Sequence, residues 1–190
     1  MNTTEPIRDK AHVAKLINYF TKRGETRNCV LVTLCIHTAL RISDILRLGC
    51  DDVFDFKRKE IRKSITITEK KTGKNATVAL HKNAVAALTK YFPNAEPGAP
   101  LILNKQSGKA ISRVQAYRII RSAAESIKLP SRVSCHSLRK TFGYHAWKAK
   151  VSPAVIMEIY NHSSLKTTRR YLGINQDDKN AVYLGIRFLT

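Results

Sequence analysis

Apolar residues first recur at helical spacing at Leu16, Ile17 and Phe20, and again from Val30 through Leu31, Leu34 and Cys35. A period near 3.6 marks two helices, the second expected to end near Leu40. Ser43 suits the cap of a short third helix through Leu48, which Gly49 stops. The period then changes. Ile61, Ile65 and Ile67 alternate with Arg62, Ser64, Thr66 and Thr68, a strand with one polar face. The run from Lys70 to Lys74 reads as a tight turn, and Ala76 to Leu80 as the returning strand of a basic β-hairpin. A helix follows from about Asn83 to Tyr91. The Pro/Gly-rich stretch from Phe92 to Pro100 is read as an internal loop.

The C-terminal half returns to helical spacing. One helix is expected from about Ser112 to Ile127, ending before Pro130, and another from His136 to about Ala149. A third starts at Ser152-Pro153, an N-cap followed by proline at the first helical position, and ends at Asn161. A short helix is expected near Thr167–Tyr171. In the tail, Asp177 and Asp178 suit the first turn of a small terminal helix that carries Val182, Leu184, Ile186 and Phe188. The fold class is mainly α with a small antiparallel β-sheet, in one domain covering 1–190.

Charge changes the picture. The 190 residues include 34 Lys+Arg against 14 Asp+Glu, a formal net charge of +20. A domain this basic points to a polyanion, with nucleic acid leading. The basic residues do not line one amphipathic segment, which disfavours a membrane surface. No apolar run reaches the roughly 18 residues of a membrane span, and the polar residues 1–10 show no secretory signal. The four cysteines have neither zinc-ligand nor redox spacing. Reduced thiols, a cytoplasmic setting and no metal or cofactor are expected.

Against that charge stand a few residues with phosphate chemistry. His136 and Arg139 lie three apart on a helix and share a face. A guanidinium offers a bidentate fork to a phosphate, and an imidazole can move a proton near neutral pH. Arg41 is flanked by Ala39, Leu40 and Ile42, so it either snorkels, pairs with Asp44 or meets an anion. His162 opens the run His-Ser-Ser-Leu-Lys-Thr-Thr-Arg-Arg-Tyr and lies nine positions before Tyr171. Tyr144 is read as core or groove lining, Tyr160 as the end of its helix, and His145 as packed.

The order Arg41, His136-x-x-Arg139, His162 and Tyr171 resembles the tyrosine recombinase (phage integrase) family, over nearly the whole chain. Asn161 stands where the family usually has glycine, a mild departure because asparagine also tolerates the left-handed conformation. The resemblance implies a catalytic set of Arg41, Lys71, His136, Arg139, His162 and Tyr171. Lys71 is chosen over Lys70 and Lys74 because relatives often carry Lys-Thr-Gly at the hairpin turn. It implies attack of Tyr171 on a DNA phosphodiester to give a 3′-phosphotyrosyl link, with Lys71 protonating the 5′ oxygen. His136 would be the general acid/base, and His162 would bond the phosphate. The implied partners are double-stranded DNA and further copies of the chain, a tetramer in the synapse and a monomer when free, with a nucleoid-associated location. The tail 172–190 is expected to dock in trans.

The chain enters almost directly into the catalytic part, with no separate core-binding domain. It reads as either an excised fragment or a short form like the fimbrial phase-variation recombinases. Two other functions share the fold: a type IB topoisomerase-like nicking–closing enzyme and a non-catalytic DNA-binding regulator. The complete set of reactive residues argues against the regulator.

Overall fold

The computed structural model describes residues 4–68, 73, 75–172, 174, 180 and 183–186. Helix α1 (Lys10–Lys22) starts behind Asp9, whose carboxylate accepts from Ala11 N. This start lies well before Leu16, because the first turn is polar and carries no apolar period. Helix α2 (Thr26–His37) is buried continuously from Cys29 to Ile36. It packs against α1, against α4 (Lys82–Tyr91) and against α6 (Cys135–Lys148), so apolar residues cover its whole circumference. It ends three residues before the expected Leu40. Thr38 Oγ1 bonds the Leu34 carbonyl, and Ala39 turns left-handed at φ 56°, which stops the helix.

Helix α3 (Ile42–Ile45) is one turn long, with Arg41 at its N-cap. Ser43 therefore lies inside the helix and does not cap it. The Arg41 backbone carbonyl accepts from Asp44 N and Ile45 N, which makes Arg41 the hinge of this turn. Gly49 follows in extended backbone and bridges to Pro100. The Pro/Gly-rich stretch is stitched to the same place: Cys50 N donates to the Ala99 carbonyl and Leu101 N to the Leu48 carbonyl, both at 2.8 Å. It is an internal connection held by backbone pairing.

The single expected sheet is three separate antiparallel pairs. Strands β1 (Phe54–Asp55) and β2 (Glu60–Ile61) form the first, and β3 (Ser64–Thr68) and β4 (Asn75–Ala79) the second. Strands β5 (Leu103–Asn104) and β6 (Lys109–Ala110) form the third. Ile61 thus belongs to a different pair from Ile65 and Ile67. Two-residue strands carry too few positions to show a period of two, so periodicity could not reveal β1, β5 or β6. Among the described residues of the main hairpin, only Ile65 is fully buried, as part of the main core. The turn bearing Lys70, Lys71 and Lys74 lies outside the described residues, as do Asp177, Asp178, Val182 and Phe188.

Helix α5 (Arg113–Ser126) opens with a reciprocal capping box between Ser112 and Gln115. Helix α6 follows Ser134, whose hydroxyl accepts from Ser137 N. Helix α7 (Pro153–Tyr160) begins behind Ser152 and ends in left-handed Asn161, as its sequence predicts. Helix α8 (Leu165–Leu172) begins earlier than expected, because Ser164 Oγ accepts from Thr167 N and moves the cap upstream.

Two apolar clusters result. The larger joins α1, α2, α4, α5 and the sheets around Phe20, Leu31, Ile65, Leu88 and Ile120. The smaller joins Ala39, Ile156, Tyr160 and Leu172, with Phe142, Trp147 and Tyr171 at its edge. Helix α6 is the wall between them: Leu138 faces the larger, and Gly143 touches the smaller.

A methyl group at Gly143 would meet Tyr160 Oη at 2.5 Å and Leu172 Cδ2 at 2.8 Å. Tyr160 cannot swing aside, because it is fully buried and its hydroxyl donates to the Arg139 carbonyl at 2.6 Å. Gly143→Ala is therefore expected to destabilise the protein by about 1–3 kcal/mol through overpacking, outweighing the gain of up to about 1 kcal/mol in helix propensity. Urea denaturation measures this, and a variant as stable as wild type would show that α7 and α8 yield freely.

Candidate active site

A cleft of about 740 Å³ opens between α3, α5, α6 and α8. Arg41, His136, Arg139, His162 and Tyr171 all line it, joined by Arg113 and Tyr117 from α5. Five of the six residues singled out in the sequence thus converge. Lys71 lies outside the described residues.

The convergence rests on the end of α7. The last carbonyls of a helix have no partner within it. The Tyr160 carbonyl instead accepts from Arg139 at 3.2 Å and from Arg41 at 3.5 Å. Two guanidiniums separated by about a hundred residues of chain are held at one oxygen. Arg139 is buried and stacks 5.0 Å over the Tyr160 ring. Asn161, at φ 52°, then reverses the chain. The reversal stacks the His162 ring on the Tyr160 ring, with centroids 5.2 Å apart and planes at 19°.

The paired threonines acquire a physical role here. His162 Nδ1 lies 3.1 Å from Thr168 Oγ1, and Thr168 is fully buried. Thr167 and Ser164 share a hydroxyl contact of 2.9 Å at the start of α8. One threonine orients the imidazole and the other secures the helix that carries Tyr171.

Tyr171 Oη lies 3.2 Å from His136 Nδ1, and the two rings meet edge to face at 4.8 Å. Burial pushes the Tyr171 hydroxyl up to about 12, opposed by Arg139, which also hydrogen-bonds it, and by Arg41. Burial pulls His136 down to about 4, helped by the charges of Lys140 and Arg139 and by His162. At neutral pH the site therefore holds a neutral phenol against a neutral imidazole. Burial raises the Cys135 thiol to about 11, so it is no thiolate nucleophile beside His136. Among the described residues, no group of three or more His, Cys, Asp or Glu side chains could hold a metal ion.

Residues 8–177 match the phage integrase family. The chain belongs to that family. It is 34% identical to "Probable integrase/recombinase YoeC" of Bacillus subtilis, covering 96% of this chain and 97% of that one. It is 30% identical to tyrosine recombinase XerD of Corynebacterium glutamicum over 85% of its length, but spans only 53% of that protein. The fold of XerA recombinase superposes with a TM-score of 0.79 at 20% identity, over 99% of this chain and 68% of that one. XerH bound to its palindromic difH substrate gives 0.74 at 18%, over 97% and 55%. Such low identities establish the fold, which is that of tyrosine recombinase catalytic domains.

In this integrase-family chain, sequence reasoning passed over two contributors. Tyr160 reads in sequence only as the end of its helix, yet its carbonyl holds both arginines and its ring stacks on His162. Lys140 went unnoticed; its ammonium lies 5.5 Å over the Tyr171 ring. A lysine four positions after His136 was the available signal, since it shares that residue's helical face. His145 is a packing residue as read, with Nε2 3.0 Å from the Ile7 carbonyl.

The depressed His136 gives a stability signature. Its folded midpoint, about 4, lies below the ordinary value of about 6.5. Between those values the unfolded chain binds the extra proton, so stability falls as pH drops through that window and is unaffected above it. His37, stacked on His81 and also lowered to about 4 by burial and that neighbour, adds to the same window. Thermal melts from pH 7 to 4 are expected to show this loss. His136→Gln should flatten the slope, and an unchanged slope would contradict the assignment.

Proposed function

We propose that this chain breaks and rejoins double-stranded DNA through a covalent tyrosine intermediate, as a site-specific recombinase. The observation that carries the reading is the convergence of Arg41, Arg139, His136, His162 and Tyr171 on one cleft. The surface around it belongs to a chain of net charge +20, which favours DNA.

In this reading a phosphodiester takes over from the Tyr160 carbonyl as the ligand of the two guanidiniums. Arg41's contact with that carbonyl, at 3.5 Å, is at the outer limit of a hydrogen bond. A charged phosphate oxygen is a stronger acceptor, and two forks can grip its two non-bridging oxygens. Ionising a phenol of pKa about 12 at pH 7 costs about 7 kcal/mol, at about 1.36 kcal/mol per unit. The bound anion lifts His136 from its depressed value, because a negative neighbour favours imidazolium. The phenolic proton then passes to Nδ1 as Tyr171 Oη bonds to phosphorus. The P–O5′ bond breaks, and Lys71 protonates the departing oxygen. His162 donates to the phosphate. The guanidiniums neutralise the developing charge without a metal ion. The phosphodiester energy stays in the Tyr–P bond, so reversal onto another 5′ hydroxyl needs no nucleotide.

The working assembly is a tetramer on paired sites, built from chains that are monomeric when free. Residues 1–190 act as one catalytic unit, and 172–190 reach a neighbouring copy. Tyr183, Leu184 and Ile186 are exposed, as a segment that packs elsewhere would be. A DNA substrate implies a cytoplasmic, nucleoid-associated location. The full-length likeness to an integrase/recombinase favours strand exchange over simple nicking and closing.

A nicked suicide duplex tests the chemistry. Wild type is expected to trap a covalent adduct, and Tyr171→Phe to bind DNA but trap none. Arg41→Lys and Arg139→Lys keep the charge and lose the planar fork, so cleavage should fall at least about 100-fold. Adduct formation by Tyr171→Phe, or near-normal cleavage by both lysine variants, would overturn the reading. Deleting 176–190 should weaken cooperative binding to paired sites more than cleavage at a single site; intact cooperativity would remove the tail's role.

A further inference from the structure

The face of α6 that carries His136 and Arg139 continues through Lys140 to Gly143. Lys140 is buried at 6% exposure, an unusual place for an ammonium. Its Nζ donates to the Thr4 carbonyl at 2.6 Å. The segment before α1 runs along α6 from that point. Ile7 N donates to Thr141 Oγ1 at 2.9 Å, the Ile7 carbonyl meets His145, and Arg8 lies 5.2 Å over the Tyr144 ring. This strap holds the lysine over Tyr171, with its ammonium 5.5 Å from the ring centroid.

The Tyr171 hydroxyl is placed by His136 Nδ1 at 3.2 Å and by Arg139, while its ring is packed among other rings. His136, Tyr160 and His162 lie 4.8, 4.9 and 5.0 Å away, all tilted or edge-on. A cation on the ring adds a directional attraction that strengthens where water is excluded. The same charge works against protonation of His136. The groups facing that imidazole are Arg139 and Lys140 from its own helix, His162 from the turn after α7 and Tyr171 from α8, with Arg41 across the cleft.

We propose that Lys140 is a positioning residue for strand cleavage: held by the Thr4 carbonyl, its ammonium fixes the Tyr171 ring for attack. The inference rests on Tyr171 being the nucleophile. It assigns Lys140 no contact with DNA, so the expected effect falls on the chemical step and leaves affinity alone.

The test uses the full chain with Lys140→Met, which keeps the length and removes the charge, and Lys140→Arg, which keeps the charge. Lys140→Met leaves the Thr4 carbonyl without this donor, so folding is confirmed by circular dichroism before rates are compared. At saturating suicide substrate, Lys140→Met is expected to form adduct about tenfold more slowly, with unchanged DNA affinity, and Lys140→Arg to recover most of the rate. NMR titration of His136 in DNA-free protein gives a second readout that needs no chemistry. Its midpoint should rise in Lys140→Met and stay low in Lys140→Arg. A wild-type adduct rate or an unmoved His136 midpoint in folded Lys140→Met overturns the inference. Tyr171→Phe run alongside separates the two claims. Adduct in that variant would overturn the nucleophile assignment, while the titration would still decide whether Lys140 governs His136.

Discussion

The carbonyl oxygen of Tyr160 organises the cleft. A helix that ends must leave its last carbonyls to other donors. Here Asn161 ends α7 abruptly in the left-handed conformation, and the orphan oxygen collects Arg41 from α3 and Arg139 from α6. Each guanidinium would be costly to hold near the other without a shared acceptor. The Tyr160 side chain completes the arrangement. Its hydroxyl ties back to the Arg139 carbonyl, and its ring contacts both the Arg139 guanidinium and the His162 imidazole. The end of α7 thus gathers three functional side chains, Arg41, Arg139 and His162.

Electrostatics explains why such a site rests quietly. Burial holds Tyr171 as a phenol and His136 as a neutral imidazole. The neighbours oppose each other in their effect on proton transfer. Arg41 and Arg139 favour the phenolate, while Arg139 and Lys140 disfavour the imidazolium that must accept its proton. In the proposed mechanism a phosphodiester relieves the second effect and, being an anion, also offsets part of the first. In the proposed mechanism, binding of the substrate therefore sets the protonation balance that the chemistry needs, and the free protein keeps a weak nucleophile.

Helix α6 connects this chemistry to the rest of the fold. Leu138 anchors it in the larger core, and Ser137 and Thr141 carry its cap and its link to the strap before α1. The opposite stripe of His136, Arg139, Lys140 and Gly143 faces α7 and α8. Gly143 has no side chain because α7 and α8 approach too closely for one. The two clusters meet across one helix, so a change of packing on either side reaches Tyr171 through a rigid element.

Much of this was legible in the chain alone. The helices of the C-terminal half follow from periodicity and caps, and Ser152, Pro153 and Asn161 mark α7 correctly because capping is local chemistry. The candidate residues were legible through their order and types, since a phosphodiester demands guanidiniums, imidazoles and a nucleophile. Other features depended on residues distant in sequence. The two-residue strands exist only where Phe54 finds Ile61 and Leu103 finds Ala110. The end of α2 at His37 and the burial of its whole circumference follow from neighbours on every side. Tyr160 looked like a mere helix end because a backbone carbonyl leaves no trace in residue type, and Lys140 looked like one basic residue among 34. Sequence determines which groups are available and which local turns they make. Which of them share one oxygen, one ring face or one proton is decided by tertiary structure, because those contacts join segments that only packing brings together.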